Sequence, residues 1–101
     1  MVITLICTSG ASTDIVVSRM KKVCDADDKI TAISVRQMDE VIPKSDVVLL
    51  GPQAKSYLKS AREIAEPYGV PVDVIDVRMF GRFNGQEVLD YARKVAARRN
   101  G

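Results

Sequence analysis

Cys7 follows the strand-like run Val2-Ile3-Thr4-Leu5-Ile6 directly, and six small or polar residues, Thr8, Ser9, Gly10, Ala11, Ser12 and Thr13, follow Cys7. A loop of that kind, between a strand and a helix, is an anion cradle: successive backbone N–H groups converge on one point, with the positive helix N-terminus behind them. Gly10 lets the chain turn and approach an anion where a side chain would obstruct it. Ser12 and Thr13 are good helix caps, and their hydroxyls can also donate to phosphate oxygens. The same field favours the thiolate of a cysteine placed at a helix N-terminus. The chemistry implied is attack of the Cys7 thiolate on phosphorus, with the loop N–H groups then holding the phosphoryl oxygens. Positioning and electrostatics suffice for such a transfer, so no metal and no cofactor is required in principle.

The chain contains no histidine. Ser-His and Cys-His nucleophile pairs are excluded, as is a phosphohistidine on this chain, and activation must come from the loop itself. The competing reading of Cys7 is an ordinary buried cysteine, a common fate of this residue; the Gly/Ser/Thr-rich turn after it favours function. Cys24 lies on an apolar helix face and is read as structural. Asp14 suits the first turn of a helix, but it would repel a phosphoryl dianion unless its side chain points outward.

The elements that must position these residues alternate between strand and helix. Residues 2–6 read as a strand buried on both faces. Val16, Met20, Val23 and Cys24 have helical spacing and predict a helix over about 13–24. Residues 29–35 and 46–50 read as strands, with a connection over 37–44 that has room for one helical turn. Ala54, Tyr57, Leu58, Ala61, Ile64 and Ala65 form one face of the next helix, which Pro67 and Gly69 end. A fourth strand over 72–77 and a last helix over about 85–99 complete the pattern. The alternation predicts one α/β domain over 1–101, a small open four-stranded parallel sheet with helices on both faces and the phosphate loop after the first strand. Ligands bind beyond the carboxyl ends of such strands, so residues 7–13, 51–53 and 77–85 are expected at one edge.

Composition narrows the partners. The net charge of +2 on 101 residues is too weak to indicate nucleic acid. The basic cluster Arg93, Lys94, Arg98 and Arg99 is expected to be a solvated helix end matched to the helix dipole. Two cysteines make neither a disulfide scaffold nor, without histidine, a good zinc set. The longest apolar run, 47–50, falls far short of the ~20 residues that span a bilayer. With no signal-like pattern at Met1, a cytoplasmic protein without direct membrane insertion is expected.

At these residues the chain resembles the B subunit (enzyme IIB) of the bacterial sugar phosphotransferase system, in its lactose/cellobiose/chitobiose class. The resemblance rests on the strand ending in Cys7, the loop Cys7-Thr8-Ser9-Gly10-Ala11-Ser12-Thr13, and Asp46-Val47-Val48-Leu49-Leu50-Gly51-Pro52-Gln53. Val74-Ile75-Asp76 and Phe80-Gly81-Arg82-Phe83-Asn84-Gly85 continue it, so it runs through essentially the whole chain. Family loops often carry Ser-Ala after the cysteine, Met before the Ser-Thr pair and Ser after it, where this chain has Thr8-Ser9, Ala11 and Asp14. The resemblance implies that Cys7 is a phosphocysteine site and that 8–13 is its cradle. It further implies a phosphohistidine donor on an A subunit, and delivery to a sugar held by a membrane-embedded C subunit. That sugar would be a disaccharide such as cellobiose, lactose or chitobiose.

Gly51-Pro52-Gln53 reads as a strand end and helix start, with Gln53 as a minor contact, and Arg78 and Arg82 read as edge residues that either face an acidic partner or are solvated. Two rivals stay open. A low-molecular-weight cysteine phosphatase or arsenate reductase needs Cys-x5-Arg to clamp phosphate, and Thr13 occupies that place. A flavodoxin-like binding module would have to sandwich its flavin with five aromatics and no tryptophan. A response-regulator receiver would need an acidic residue where Gly51 ends the third strand.

Overall fold

The β-branched and aliphatic runs of the sequence become a parallel sheet that fixes the site. The computed structural model describes residues 1–8 and 11–100. Strands β1 (Val2–Cys7), β2 (Lys29–Ser34), β3 (Val47–Leu50) and β4 (Val72–Val74) lie in the order β2-β1-β3-β4, all parallel. Register places Cys7 beside Ser34, and Ile6 beside both Ile33 and Leu50. The inner strands β1 and β3 carry the continuous apolar runs, as strands covered on both faces must.

Side chains alternate across the sheet and build two cores. Ile3, Leu5, Val47 and Leu49 meet Val16, Val17 and Met20 of helix α1 (Ala11–Lys21). The same core takes Val88, Leu89, Ala92 and Val95 of the C-terminal helix Gly85–Ala96. Ile6, Val48 and Leu50 point the other way. They meet Met38 of the short helix α2 (Met38–Val41) and Ala61 and Ala65 of α3 (Leu58–Ala65). Thr4, fully buried between them, is satisfied by the Ser45 hydroxyl at 2.6 Å, which in turn donates to the Val41 carbonyl.

Several boundaries differ from the sequence reading for local reasons. Helix α1 starts at Ala11, ahead of the expected Thr13, and ends at Lys21. Cys24 therefore lies beyond it, half-buried, its thiol 3.5 Å from the Lys21 carbonyl. The segment after Gly51 opens as a 3-10 helix (Pro52–Tyr57) before α3. The fourth strand ends at Val74 because Asp76 accepts the Arg78 N–H at 2.7 Å and starts α4 (Val77–Gly81), so Gly85–Ala96 is α5.

The stretch 80–85 proves to be a junction. Phe80 is buried, and Phe83 takes a left-handed φ of 50° while its carbonyl accepts from the Arg19 guanidinium. Asn84 then caps α5 by accepting the Glu87 N–H. Arg82, though exposed, grips Glu87 through two hydrogen bonds and holds that carboxyl below its usual range. At Gly85 the helix crosses so close to α1 that a Cβ would overlap the Arg19 carbonyl.

Two members of the basic cluster near the last helix, Arg93 and Arg98, are paired while keeping contact with solvent. Arg93 bridges Asp25 and Asp28, and Arg98 pairs with Asp73 at 2.6 Å. Asp28 lies below the ordinary carboxylate range chiefly because it accepts the Asp25 N–H, against the opposing effect of burial, with the N-terminal ammonium and Arg93 adding to it. For Asp73 burial is the largest effect and raises the pKa, but hydrogen bonds from Arg98 and the Val74 N–H and the nearby guanidinium charges bring the net value down. Among the described residues no helix is long and apolar enough to cross a membrane.

Candidate functional site

The carboxyl end of β1 is walled on both sides by its neighbours, and that burial is what makes Cys7 a fixed group. Its side chain is 5% exposed and its sulfur stands 4.0 Å from the Ile33 carbonyl of β2. On the β3 side, the Gly51 N–H donates to the Ile6 carbonyl at 2.8 Å. A Cβ on Gly51 would lie 2.7 Å from the Gln53 carboxamide oxygen, the far end of a flexible side chain that folds back over the strand end and could swing aside. Gly51 and Pro52 thus end one element and start the next, as expected.

With α1 starting at Ala11, the last three residues of the expected cradle belong to the helix. Thr8 is exposed beside Cys7, whereas Ser9 and Gly10 lie outside the described residues. Ala11, Ser12 and Thr13 belong to the first turn, whose N–H groups have no helical partners. Thr13 is 1% exposed, and its hydroxyl has no hydrogen-bond partner among the described residues. A buried orphan hydroxyl costs about 1–3 kcal/mol, and Thr13 is not among the residues that line the cavity at Cys7.

Cys7 opens into a cavity of about 160 Å³ lined by Cys7, Thr8, Asp14, Ala32, Ile33, Ser34 and Gln37. Two of these were missed from sequence. Ser34 is the register partner of Cys7, and its N–H donates to the Gln37 side-chain oxygen at 3.1 Å, which fixes the carboxamide against the cavity wall. The signal was there in Ser34-x-x-Gln37, the spacing of a capping box.

The segment 77–85 follows the carboxyl end of β4, at the edge expected, but it does not line the Cys7 cavity. Asp76, Val77 and Met79 line a separate groove with Pro52, Lys55 and Tyr91, because β3 stands between β1 and β4. Among the described residues no group of three His, Cys, Asp or Glu side chains comes together to hold a metal.

What the arrangement can do is accept a small anionic group at a buried thiol in front of a helix N-terminus. The comparisons with known proteins agree on one family for the chain. The family model described as the lactose/cellobiose-specific IIB subunit of the PTS system matches residues 2–91. The galactose-specific EIIB component of Lactococcus lactis subsp. cremoris is 37% identical, covering 93% of this chain and 94% of that protein. The oligo-beta-mannoside-specific EIIB component of Bacillus subtilis is 35% identical, covering 89% and 90%. Among solved structures, the cellobiose-specific phosphotransferase IIB component of Borrelia burgdorferi superposes with a TM-score of 0.79 at 34% identity, covering 98% of this chain and 94% of that one. The lactose-specific IIB domain of Streptococcus pneumoniae gives 0.82 at 11% identity over 94% and 96%, a likeness of fold alone. The match to the family model and likeness to these subunits over about nine-tenths of their length place the chain in the lactose/cellobiose-specific IIB family of the sugar phosphotransferase system, a phosphotransferase component of sugar transport.

Proposed function

We propose that Cys7 is the residue that carries the phosphoryl group, and that Thr8, Ser9, Gly10, Ala11, Ser12 and Thr13 cradle it. The observation that carries this reading is the Cys7 thiol, fixed at the carboxyl end of the central strand against its own cavity and ahead of the α1 N-terminus. In the first step the thiolate attacks a phosphohistidine of an A-type subunit. The S–P bond forms, the P–N bond breaks, and the imidazole nitrogen keeps the electron pair. In the second step a sugar hydroxyl oxygen attacks phosphorus, its proton passes to a base on the membrane C subunit, and Cys7 leaves as the thiolate. The first-turn N–H groups and the Thr13 hydroxyl stabilise the charge on the equatorial oxygens in both steps. The chain acts as one domain over 1–101 on the cytoplasmic side, and the sugar is a disaccharide such as cellobiose, lactose or chitobiose. Relatives named for cellobiose and for oligo-beta-mannosides support that class.

The test is to incubate the protein with a phosphorylated A-type subunit and map the modified residue by mass spectrometry. Label is expected on Cys7, unchanged by Cys24→Ser and absent in Cys7→Ser. Equal labelling of Cys7→Ser removes the reading. A Cys7-dependent turnover of p-nitrophenyl phosphate at ~1–10³ per second, typical of enzymes, hands the case to a phosphatase.

A further inference from the structure

Asp14 stands in the wall of the Cys7 cavity with Thr8, Ser34 and Gln37, and it is exposed. No ion pair or hydrogen bond links its carboxylate to a described residue, in contrast to Asp25, Asp28, Asp46, Asp73, Asp76 and Asp90. The sequence left two cases, repulsion of a phosphoryl dianion or a side chain turned outward. A place in the cavity wall puts the Asp14 charge close enough to Cys7 for the first case to matter. Two negative groups in a cavity of about 160 Å³ cannot be far apart. Coulomb's law with water-like screening makes one such carboxylate worth about three- to tenfold in anion occupancy.

We propose that Asp14 sets the transfer potential of the site: it repels the phosphoryl group on Cys7 and so biases the carrier toward handing the group on. The inference rests on Cys7 being the carrier residue, and it makes Asp14 a positioning charge that acts through the field and not through contact with the reacting atoms. A neutral residue here gives a site that binds phosphate more tightly and releases it less readily.

The probe is inorganic phosphate, read as protection of Cys7 from iodoacetamide in a Cys24→Ser background. Wild type is compared with Asp14→Asn, Asp14→Ser and Asp14→Glu, each checked for a cooperative melt. Both neutral variants should be half-protected at about three- to tenfold lower phosphate than wild type, and Asp14→Glu should match wild type. The gap should narrow in about 0.5 M salt, where screening shortens to a few ångströms, a response that a purely structural loss would not give. Equal protection of all four proteins, or a gap indifferent to salt, overturns the role of Asp14. Protection in none of them, neutral variants included, overturns the Cys7 cradle on which it rests.

Discussion

Replacing Gly85 by alanine sets helix propensity against packing, and the two predict opposite signs. Gly85 is the first residue of α5, where alanine is the better helix former by up to ~1 kcal/mol. It also lowers the conformational freedom of the unfolded chain. The structure argues the other way. A Cβ at Gly85 would overlap the carbonyl carbon and oxygen of Arg19 and lie 2.6 Å from the Met20 nitrogen. Those atoms are helix backbone, and the inward face of α1 is pinned by Val16, Val17 and Met20, buried against the sheet. The neighbour cannot rotate away as a flexible side chain would, so α1 and α5 must separate along a shared core.

Overpacking of this kind costs typically ~1–3 kcal/mol and occasionally more. With backbone on the far side, the upper end applies, and about 2 kcal/mol remains after the propensity gain is subtracted. For a domain of this size that is a fall of roughly 8–16 °C in melting temperature. The assay is urea unfolding at fixed pH, with a lower midpoint and an unchanged slope. Gly81→Ala is the control, because nothing lies within 4 Å of a Cβ there, and with the propensity gain unopposed its stability should equal wild type or exceed it by up to ~1 kcal/mol. A Gly85→Ala protein as stable as wild type would refute the reasoning, since it would mean that the two helices part without cost.

Asn84→Ala should lose about 1 kcal/mol in the same unfolding assay, because the Asn84 side chain accepts the Glu87 N–H at 3.1 Å, while Asn84→Asp should hold wild-type stability. Asp28 and Asp73 have folded pKa values below their unfolded ones, so their contribution is complete above the ordinary carboxylate value of about 3.9 and disappears as pH falls through the depressed folded values. Thermal melts from about pH 6 down to pH 2 should therefore show an acid limb, and the Asp28→Asn, Asp73→Asn double variant should be less stable at neutrality with a flatter limb; a limb of wild-type steepness would remove these two carboxylates from the account.

The sheet was legible because continuous apolar runs such as Val47-Val48-Leu49-Leu50 have one stable place in an α/β protein, between two helical layers. The end of the fourth strand was not, since Val77 continues the apolar pattern and only the Asp76 carboxylate, capping the Arg78 N–H, turns the chain into α4. Cys7 was legible from the residue types that follow it. Its surroundings were harder to read, because Ser34 and Gln37 come to Cys7 through strand order and register, which no local spacing encodes. The same topology explains why residues 77–85 sit away from the cavity. The fate of Arg82, Arg93 and Arg98 depended on partners 5, 65 or 68, and 25 residues away in the chain.

A phosphoryl carrier faces a requirement that neither a binding protein nor a hydrolase shares, since it must take the group readily and give it up as readily. The polar groups around Cys7 divide along those lines. Thr13 holds a buried hydroxyl with no partner among the described residues, which costs about 1–3 kcal/mol. In the proposed reading a phosphoryl oxygen accepts from it, which favours uptake. Asp14, unpaired in the opposite sense, opposes retention of the same charge. Gln37 is tethered through its oxygen to the Ser34 N–H, so its side-chain nitrogen is the end left to donate. Thr13 stands where a cysteine phosphatase clamps phosphate with a bidentate guanidinium. At 1% exposure the position has no room for that side chain, so in the proposed reading a hydroxyl and not a cation meets the anion.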